Sequence, residues 1–348
     1  MDPEVSVLLH CAQWKGLLQT QVHVELSERF NRQTDPALER HIEEVWTARL
    51  AKEPWLFNGT KFRLHSFSLM PSKHPLCPHE DQTRQTQCDS DLCAAQSETK
   101  LTNCMNDLQR ESKGDVPSIR PLLTLTLGLT CYKDYLGTNW SSQVEELRQR
   151  GEVEYGDPLA LLAQPLGVGA VLFTHDGHVV LIRRSQRVAE AGGQLDIPGG
   201  HPEPEAVSEC PVTMATLQQR PEAVVSELFS SVCAEIRDEV NVPLCSLTAP
   251  ILMGVALNHT SAGRPSAEFY VSCSLTSDEV RSLYWKGGAE AHESTDIVFL
   301  SRTELEQLHR SSPLWSELCP SAKGAVMLYQ RVRPDGDQSM LHKGTTAH

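Results

Sequence analysis

The stretch that most constrains this chain lies between residues 196 and 243. It opens with DIPGGHPEPE, in which Pro-Gly-Gly is typical of a tight turn that lets the backbone approach a neighbour closely. A polar insert follows, and then VVSELFSSVCAEIRDEVNVP predicts a helix. Its apolar residues recur every three or four positions and form one stripe: Val225, Leu228, Phe229, Val232, Ile236 and Val240. We therefore expect a helix that packs one side on the core and follows a glycine turn.

Three carboxylates lie close together on this helix. Glu235, Asp238 and Glu239 stand at i, i+3 and i+4, so helical geometry puts them within a wedge of about 100°. Acids this close repel each other unless a cation lies among them, and Mg²⁺ prefers such oxygen ligands. The alternative is a solvated acidic face. In the metal-free protein we expect Glu235 and Glu239 to be surface groups. The glycine turn, which the acids would face, favours the metal site.

Composition indicates an acidic globular protein. The chain has 348 residues, and 31 basic against 45 acidic residues give a net charge of −14. At roughly 150 residues per domain, this length predicts two domains. Because an acidic chain repels phosphate backbones, we expect no nucleic-acid partner.

The sequence shows no signal for a membrane or for secretion. No stretch of about 18 apolar residues is present, so we expect no membrane span. The first residues lack the basic region of a signal peptide, and the 11 cysteines are odd in number. We therefore predict a cytoplasmic or nuclear protein with reduced thiols.

Most of the chain shows clear strand and helix patterns. Strands are predicted at 5–11, 22–27, 61–70 and 122–132, and a hairpin at VGAVLFTHDGHVVLIRRS. A helix is predicted after Asp35 with Pro36 at its first position, and another with Asn139 or Ser141 as its cap. The segment 71–119 is polar and nearly free of aromatic residues, so we predict a disordered insert there.

The glycine turn and its helix resemble the Nudix box, G-x5-E-x7-R-E-U-x-E-E-x-G-U. Gly200 matches the first glycine, and EIRDE at 235–239 matches E-U-x-E-E. The chain departs from the box in three ways. Ala234 stands at the arginine, Asn241 stands at the last glycine, and the interval after Gly200 is about 20 residues longer.

Runs along nearly the whole chain resemble the animal Nudix-type diphosphatases of UDP-glucose and UDP-galactose. They include WLFN, FRLHS, LGTNWSS, DIPGGHPEP, NHTSAGR, EAHEST and LCPSAKGA. The resemblance implies an α/β fold: a Nudix α/β/α sandwich over 161–333 and a smaller N-terminal α+β domain over 1–160 that contributes to a uridine pocket. Residues 334–348 are predicted to be a frayed tail.

The resemblance also implies an activity. It is Mg²⁺-dependent hydrolysis of UDP-glucose or UDP-galactose to UMP and hexose 1-phosphate. Glu235 and Glu239 match the metal-ligand positions of the family. Asp238 is the third catalytic carboxylate, as a ligand or as the group that orients water. The oligomeric state is left open.

Eight further residues match substrate-binding positions of that family: Phe57, Tyr132, Arg184, Ala189, Asp196, His201, Glu203 and Ser321. Phe57 and Tyr132 would form a shelf for uracil and ribose, and Arg184 would meet the diphosphate. Ala189 would offer a backbone group, and Ser321 would bind the ligand from a helix start. The remaining three would contact the sugar and phosphates. Arg264 and Lys323 are possible extra cations.

Two other interpretations stay open. The first keeps the fold but changes the substrate to ADP-ribose, a dinucleotide or a coenzyme A derivative. The second is a non-catalytic nucleotide-binding protein, which Ala234 and Asn241 favour and the three intact acids disfavour.

Overall fold

The computed structural model describes residues 2–70, 122–188, 190–208, 212–290 and 292–336. The predicted insert at 71–119 lies outside these ranges, and so does the predicted tail at 334–348 except for residues 334–336, so both remain predictions, as does the division into two domains.

The described residues form short runs of strands separated by runs of one to three helices. The strands are β1 (Val5–His10), β2 (Val22–Leu26), β3 (Thr60–Leu69), β4 (Leu123–Cys131), β5 (Gly167–Phe173), β6 (His178–Arg184), β7 (Leu195–Asp196), β8 (Gly199–Gly200), β9 (Ile251–Asn258), β10 (Arg264–Ser272) and β11 (Ser294–Ser301). The helices are α1 (Pro36–Lys52), α2 (Tyr132–Gly137), α3 (Val144–Tyr155), α4 (Pro204–Val207), α5 (Met214–Gln218), α6 (Pro221–Val240), α7 (Ser277–Lys286), α8 (Arg302–Gln307) and α9 (Pro320–Val332). None of these helices is long and apolar enough to cross a membrane.

The starts of two helices test the capping predictions. Asp35 caps α1 as predicted, since its carboxylate accepts hydrogen bonds from Ala37 and Leu38 at 2.8 and 2.9 Å. The predicted cap of α3 is wrong, because that helix begins after Gln143. Asn139 is instead buried, and its side chain donates to the Ser261 carbonyl and accepts from the Gln164 N–H. The Asn139 side chain cannot cap the helix because it forms these tertiary hydrogen bonds instead.

The large sheet lies between two helices. Its strand order is β1-β9-β10-β5-β6-β11, with β7 beside β6 and β8 beside β5, and β10 runs parallel to β5. Side chains of β5 alternate between the faces: Val168 and Leu172 join the core under α6, while Val171 and Phe173 join the core under α9. This arrangement confirms the predicted α/β/α sandwich.

A small sheet covers the side of α6 that faces away from the large sheet. It has the order β2-β4-β3, and its apolar residues share one core with α6. The strands β3 and β4, which flank the predicted insert, pair antiparallel along their length. The chain's first strand, β1, pairs with β9 in the large sheet.

One buried arginine ties the small sheet to the chain that leads into β5. Arg63 on β3 is 2% exposed. Its guanidinium donates to the carbonyls of Phe30, Leu159 and Leu162 at 2.9, 2.8 and 3.2 Å. Arg63 thus binds backbone carbonyls rather than a carboxylate. Without its side chain, these three carbonyls would lose a hydrogen-bond donor.

We expect Arg63→Met to lower the free energy of unfolding by about 3 kcal/mol or more, since buried carbonyls lose their donors. Urea unfolding measures the change. Arg29→Met is the control, because Arg29 pairs with Glu25 at the surface, and it should cost at most about 1 kcal/mol. Equal effects of the two variants would contradict this account of Arg63.

A buried carboxyl group lies in the centre of the large sheet. Glu268 on β10 is 0% exposed, and a Cβ on Gly169 of β5 would fall 2.5 Å from its Oε2. Burial, and then the charge of Asp196, raises the pKa of Glu268 to about 8, against the opposing effects of the Ser266 hydroxyl and Arg264. The native protein therefore holds this proton at neutral pH.

This proton makes stability depend on pH. The unfolded chain releases it near pH 4.5, whereas the native state keeps it up to about pH 8, so wild-type stability is lost as pH rises through this window. Glu268→Gln removes that dependence. Its stability relative to wild type should rise from about pH 5 to about pH 8 in thermal unfolding. Glu306→Gln, an exposed control, should run parallel to wild type; a parallel course for Glu268→Gln would refute the assignment.

Candidate active site

One cavity of about 730 Å³ brings together residues from distant parts of the sequence. Its lining includes all seven predicted substrate-binding residues that fall in the described ranges: Phe57, Tyr132, Arg184, Asp196, His201, Glu203 and Ser321. The eighth, Ala189, lies outside those ranges. Glu235 and Asp238 line a neighbouring cavity, which shares His201 and Glu203 with the first. The two cavities thus meet at the loop that follows the glycine turn.

The glycine turn is fixed by short strands on both sides. Asp196 on β7 pairs with Ile182 of β6, and the glycines of β8 pair with β5. The sheet therefore determines where Gly199 and Gly200 lie, and it presents their backbone to α6.

Two acids of α6 contact this turn directly. The N–H of Gly199 donates to Oε2 of Glu239 at 2.9 Å. Gly200 packs so closely on Glu235 that a Cβ there would overlap the carboxylate. The missing Cβ of Gly200 permits this approach to α6, and the missing Cβ of Gly199 permits an equally close approach to the Val168 carbonyl of β5.

Burial at the turn changes the charge state of both acids. Burial, followed by the charges of Glu290, Glu293 and Asp238, raises the pKa of Glu235 to about 7. Burial, and then the charge of Glu235, raises the pKa of Glu239 well above its ordinary value. The expectation that these acids are surface groups is wrong for Glu239, which is 4% exposed because the turn covers it.

Asp238 has a different environment. Its carboxylate accepts two hydrogen bonds from the guanidinium of Arg237, at 2.7 and 2.6 Å, and this partner lowers the pKa of Asp238. The side chain is thus engaged on the outer side of the helix, while Glu235 and Glu239 face the turn.

The donor set at the turn fits a hard divalent cation. Two crowded carboxylates with raised pKa values would be relieved by positive charge. Over the ranges that the structure describes, no group of three or more His, Cys, Asp or Glu side chains is arranged to hold a metal ion. Mg²⁺ commonly takes only one or two protein carboxylates and completes its shell with water and substrate phosphates, so the pair is sufficient.

The other end of the cavity is aromatic. Tyr132 stacks on Tyr135 with ring centroids 6.4 Å apart, and Tyr135 stacks on Trp140 at 6.1 Å. Trp46 meets the edge of Tyr132 at 6.3 Å. Phe57 is 76% exposed and lines the cavity, so it is not a core residue. These flat surfaces suit a nucleobase.

Polar groups connect the two ends. Arg184 donates to Asp196 at 3.0 Å and to the carbonyl of Glu190 at 3.1 Å. Glu203 pairs with Lys61 of β3 at 3.2 Å. Burial, followed by the charges of Arg264 and Lys61, lowers the pKa of His201 well below its usual value, so the imidazole is neutral.

Ser321 lies in the first turn of α9, which begins at Pro320. The unpaired N–H groups of a helix start favour an anion, and this start opens on the cavity through Cys319, Pro320 and Ser321. The predicted extra cation Lys323, in contrast, is buried and paired with Glu4.

The sequence analysis missed two acids near the site. Glu290 and Glu293 belong to the run EAHEST, which carried part of the resemblance, but their proximity to α6 was not predicted. The N–H of Glu290 donates to the Asp238 carbonyl at 3.0 Å, and Glu293 lines the first cavity, which holds the predicted substrate-binding residues. The fold of this loop onto α6 could not be deduced from spacing alone.

The departure from the box at Asn241 has a structural explanation. This residue ends α6 in the left-handed conformation with φ of 63°, where glycine is usual and asparagine is tolerated. Its side chain donates to the Leu283 carbonyl at 2.8 Å. Asparagine can therefore end the helix as glycine would, and its side chain adds a hydrogen bond to α7.

Comparison with curated proteins gives relatives over almost the full chain. Uridine diphosphate glucose pyrophosphatase NUDT22 of Bos taurus is 47% identical over 334 residues, which cover 96% of this chain and 99% of the relative. The human protein of the same name is 46% identical over 96% of this chain and 94% of its own length. Nudix hydrolase 9 of Arabidopsis thaliana is 31% identical over 90% of this chain and 89% of its length.

Other comparisons add less. No protein-family model matches the sequence. A Nudix hydrolase structure from M. smegmatis, RenU, aligns with a TM-score of 0.29 at 12% identity, over 49% of this chain and 85% of that one. A structure of Tm1382, described as a Nudix hydrolase, aligns with a TM-score of 0.32 at 13% identity, over 48% and 70%. The assignment therefore rests on the full-length relatives, and by their similarity the chain belongs to the Nudix hydrolase family.

Proposed function

We propose that this protein hydrolyses UDP-glucose and UDP-galactose to UMP and the hexose 1-phosphate, with Mg²⁺ as its cofactor. Full-length similarity to proteins named uridine diphosphate glucose pyrophosphatase supports the substrate class. The observation that carries the proposal is that the cavity with the aromatic end meets, at His201 and Glu203, a second cavity lined by Glu235 of the carboxylate pair. In a nucleoside diphosphate sugar the base would lie at the aromatic end and the diphosphate at the carboxylate end.

The acidic end would bind the divalent ion that the reaction needs. Cleavage of a diphosphate needs neutralisation of the phosphate oxygens and a water molecule held in line, and a bound divalent ion supplies that Lewis acidity. Glu235 and Glu239 are the residues that would hold the ion. The Gly199 N–H fixes Glu239, and the packing of Gly200 fixes Glu235, so both carboxylates are positioned before substrate arrives.

The other residues bind and orient the nucleotide. Tyr132 and Phe57 stack on uracil, and Arg184, held by Asp196, faces the diphosphate. The first turn of α9 offers N–H groups and the Ser321 hydroxyl to the same ligand. Glu293, which lines the cavity beside the metal-binding pair, is placed to accept a hydrogen bond from the attacking water. This set explains how a protein of charge −14 binds an anion, because local cations and N–H groups reverse the field.

Incubation of the pure protein with UDP-glucose, with Mg²⁺ or with EDTA, tests the proposal. We expect UMP and glucose 1-phosphate to appear with Mg²⁺ and to be absent with EDTA, as chromatography and ³¹P NMR would show. Turnover of ADP-ribose but not of UDP-glucose would favour the other Nudix substrate. Binding of UDP-glucose without turnover would favour the non-catalytic protein.

Glutamine variants test the carboxylate pair. Glu235→Gln and Glu239→Gln should each lower kcat by about 100-fold or more, because charge that acts on the diphosphate is lost. Thermal unfolding should show no loss of stability, since each variant relieves repulsion between the two acids. Glu222→Gln, in the exposed first turn of the same helix, should retain wild-type kcat. Near-normal turnover in both active-site variants would remove them as metal ligands.

A further inference from the structure

Arg264 lies between the two ends of the substrate cavity. It is the first residue of β10, its side chain lines the cavity, and that side chain is only 14% exposed. Its guanidinium is 3.3 Å from Nε2 of His201 on one side and 3.1 Å from Oε2 of Glu190 on the other. It also lies 5.8 Å from the ring centroid of Tyr135.

These contacts hold Arg264 in place. The Glu190 carboxylate is itself held by the Tyr135 hydroxyl, and Ser261 lies 3.5 Å away from it. On the opposite side, His201 is neutral and accepts a hydrogen bond from Arg264, so it adds no second positive charge. Glu190 and His201 thus act as positioning residues for the guanidinium.

The guanidinium keeps unused donors inside the cavity. An arginine has five N–H groups, and the contacts with His201 and Glu190 use one from each terminal nitrogen. The Nε atom is buried and has no hydrogen-bond partner in the part of the chain that the structure describes. Because this buried atom is closed to the cavity as well, the donors left for an acceptor-rich ligand are the second N–H groups of the two terminal nitrogens.

The position of Arg264 selects one part of the ligand. His201 follows Gly200, which packs on Glu235, so that side of Arg264 faces the acidic end. Tyr135 stacks on Tyr132, so its other side faces the aromatic end. In a uridine diphosphate sugar whose uracil lies at the tyrosines and whose phosphates reach the acidic end, the α-phosphate next to the ribose lies at the level of Arg264.

We propose that Arg264 is a phosphate-binding residue that contacts the diphosphate of the nucleotide from the β10 side of the cavity. This inference rests on the proposed function. The planar fork of arginine matches two phosphate oxygens at once, which the point charge of a lysine does not reproduce.

Binding of uridine and of UDP, compared by isothermal titration calorimetry in EDTA, tests the proposal. EDTA removes metal, so the added affinity of UDP over uridine reports on the side chains. We expect Arg264→Gln to weaken UDP binding by about tenfold or more and to leave uridine binding within about twofold. Arg264→Lys should give an intermediate loss for UDP. Arg148→Gln, which removes an arginine paired with Glu145 outside the cavity, should match wild type for both ligands.

Two results would overturn the proposal. Unchanged UDP affinity in Arg264→Gln would show that the guanidinium does not touch phosphate. An equal loss for uridine and UDP would show that Arg264 only maintains the shape of the pocket. Failure of the proposed function is recognised separately, because the wild-type protein would then release no UMP from UDP-glucose with Mg²⁺, and this inference would fall with it.

Discussion

The contact between two glycines and two glutamates organises this protein. The Gly199 N–H donates to Glu239, and Gly200 packs on Glu235 with no room for a Cβ. This contact joins α6 to β8, which pairs with β5 in the middle of the sheet, and it covers Glu239. It also forces two negative charges together at a fixed place. The large sheet, the capped end of α6 and the loop that carries Glu290 all serve to hold that arrangement.

The site combines crowded carboxyl groups with a cavity suited to an anionic ligand, and a cation between them would make the two compatible. Burial, followed by the charges of Glu290, Glu293 and Asp238, raises the pKa of Glu235 to about 7, so the carboxylate pair does not stay fully ionised without a cation. In the proposed function a divalent cation would neutralise the pair and attract the phosphates to the acidic end. Arg184, Arg264 and the start of α9 then extend positive potential along the cavity, and the aromatic end needs no charge at all.

Sequence patterns predicted the strands and the turn–helix unit because periodicity and glycine chemistry are local, whereas the sandwich followed only from the resemblance to the Nudix family. They failed where tertiary contacts decide. Asn139 was expected to cap a helix, but it is buried in a hydrogen-bond network. Glu239 was expected at the surface, but the turn covers it. The approach of Glu293 and the placement of Arg264 between His201 and Glu190 depend on loops far apart in sequence, and no spacing rule brings them together.

The central claim is that the glycine turn and its two glutamates bind the metal ion, while the tyrosines at the other end of the site bind the uracil of the same substrate. A crystal grown with Mn²⁺ and UDP, measured at the manganese absorption edge, tests it most directly. The account predicts an anomalous peak between the carboxylates of Glu235 and Glu239, with the uracil ring stacked on Tyr132. A manganese peak away from that pair, or uracil bound outside the aromatic end, would contradict it.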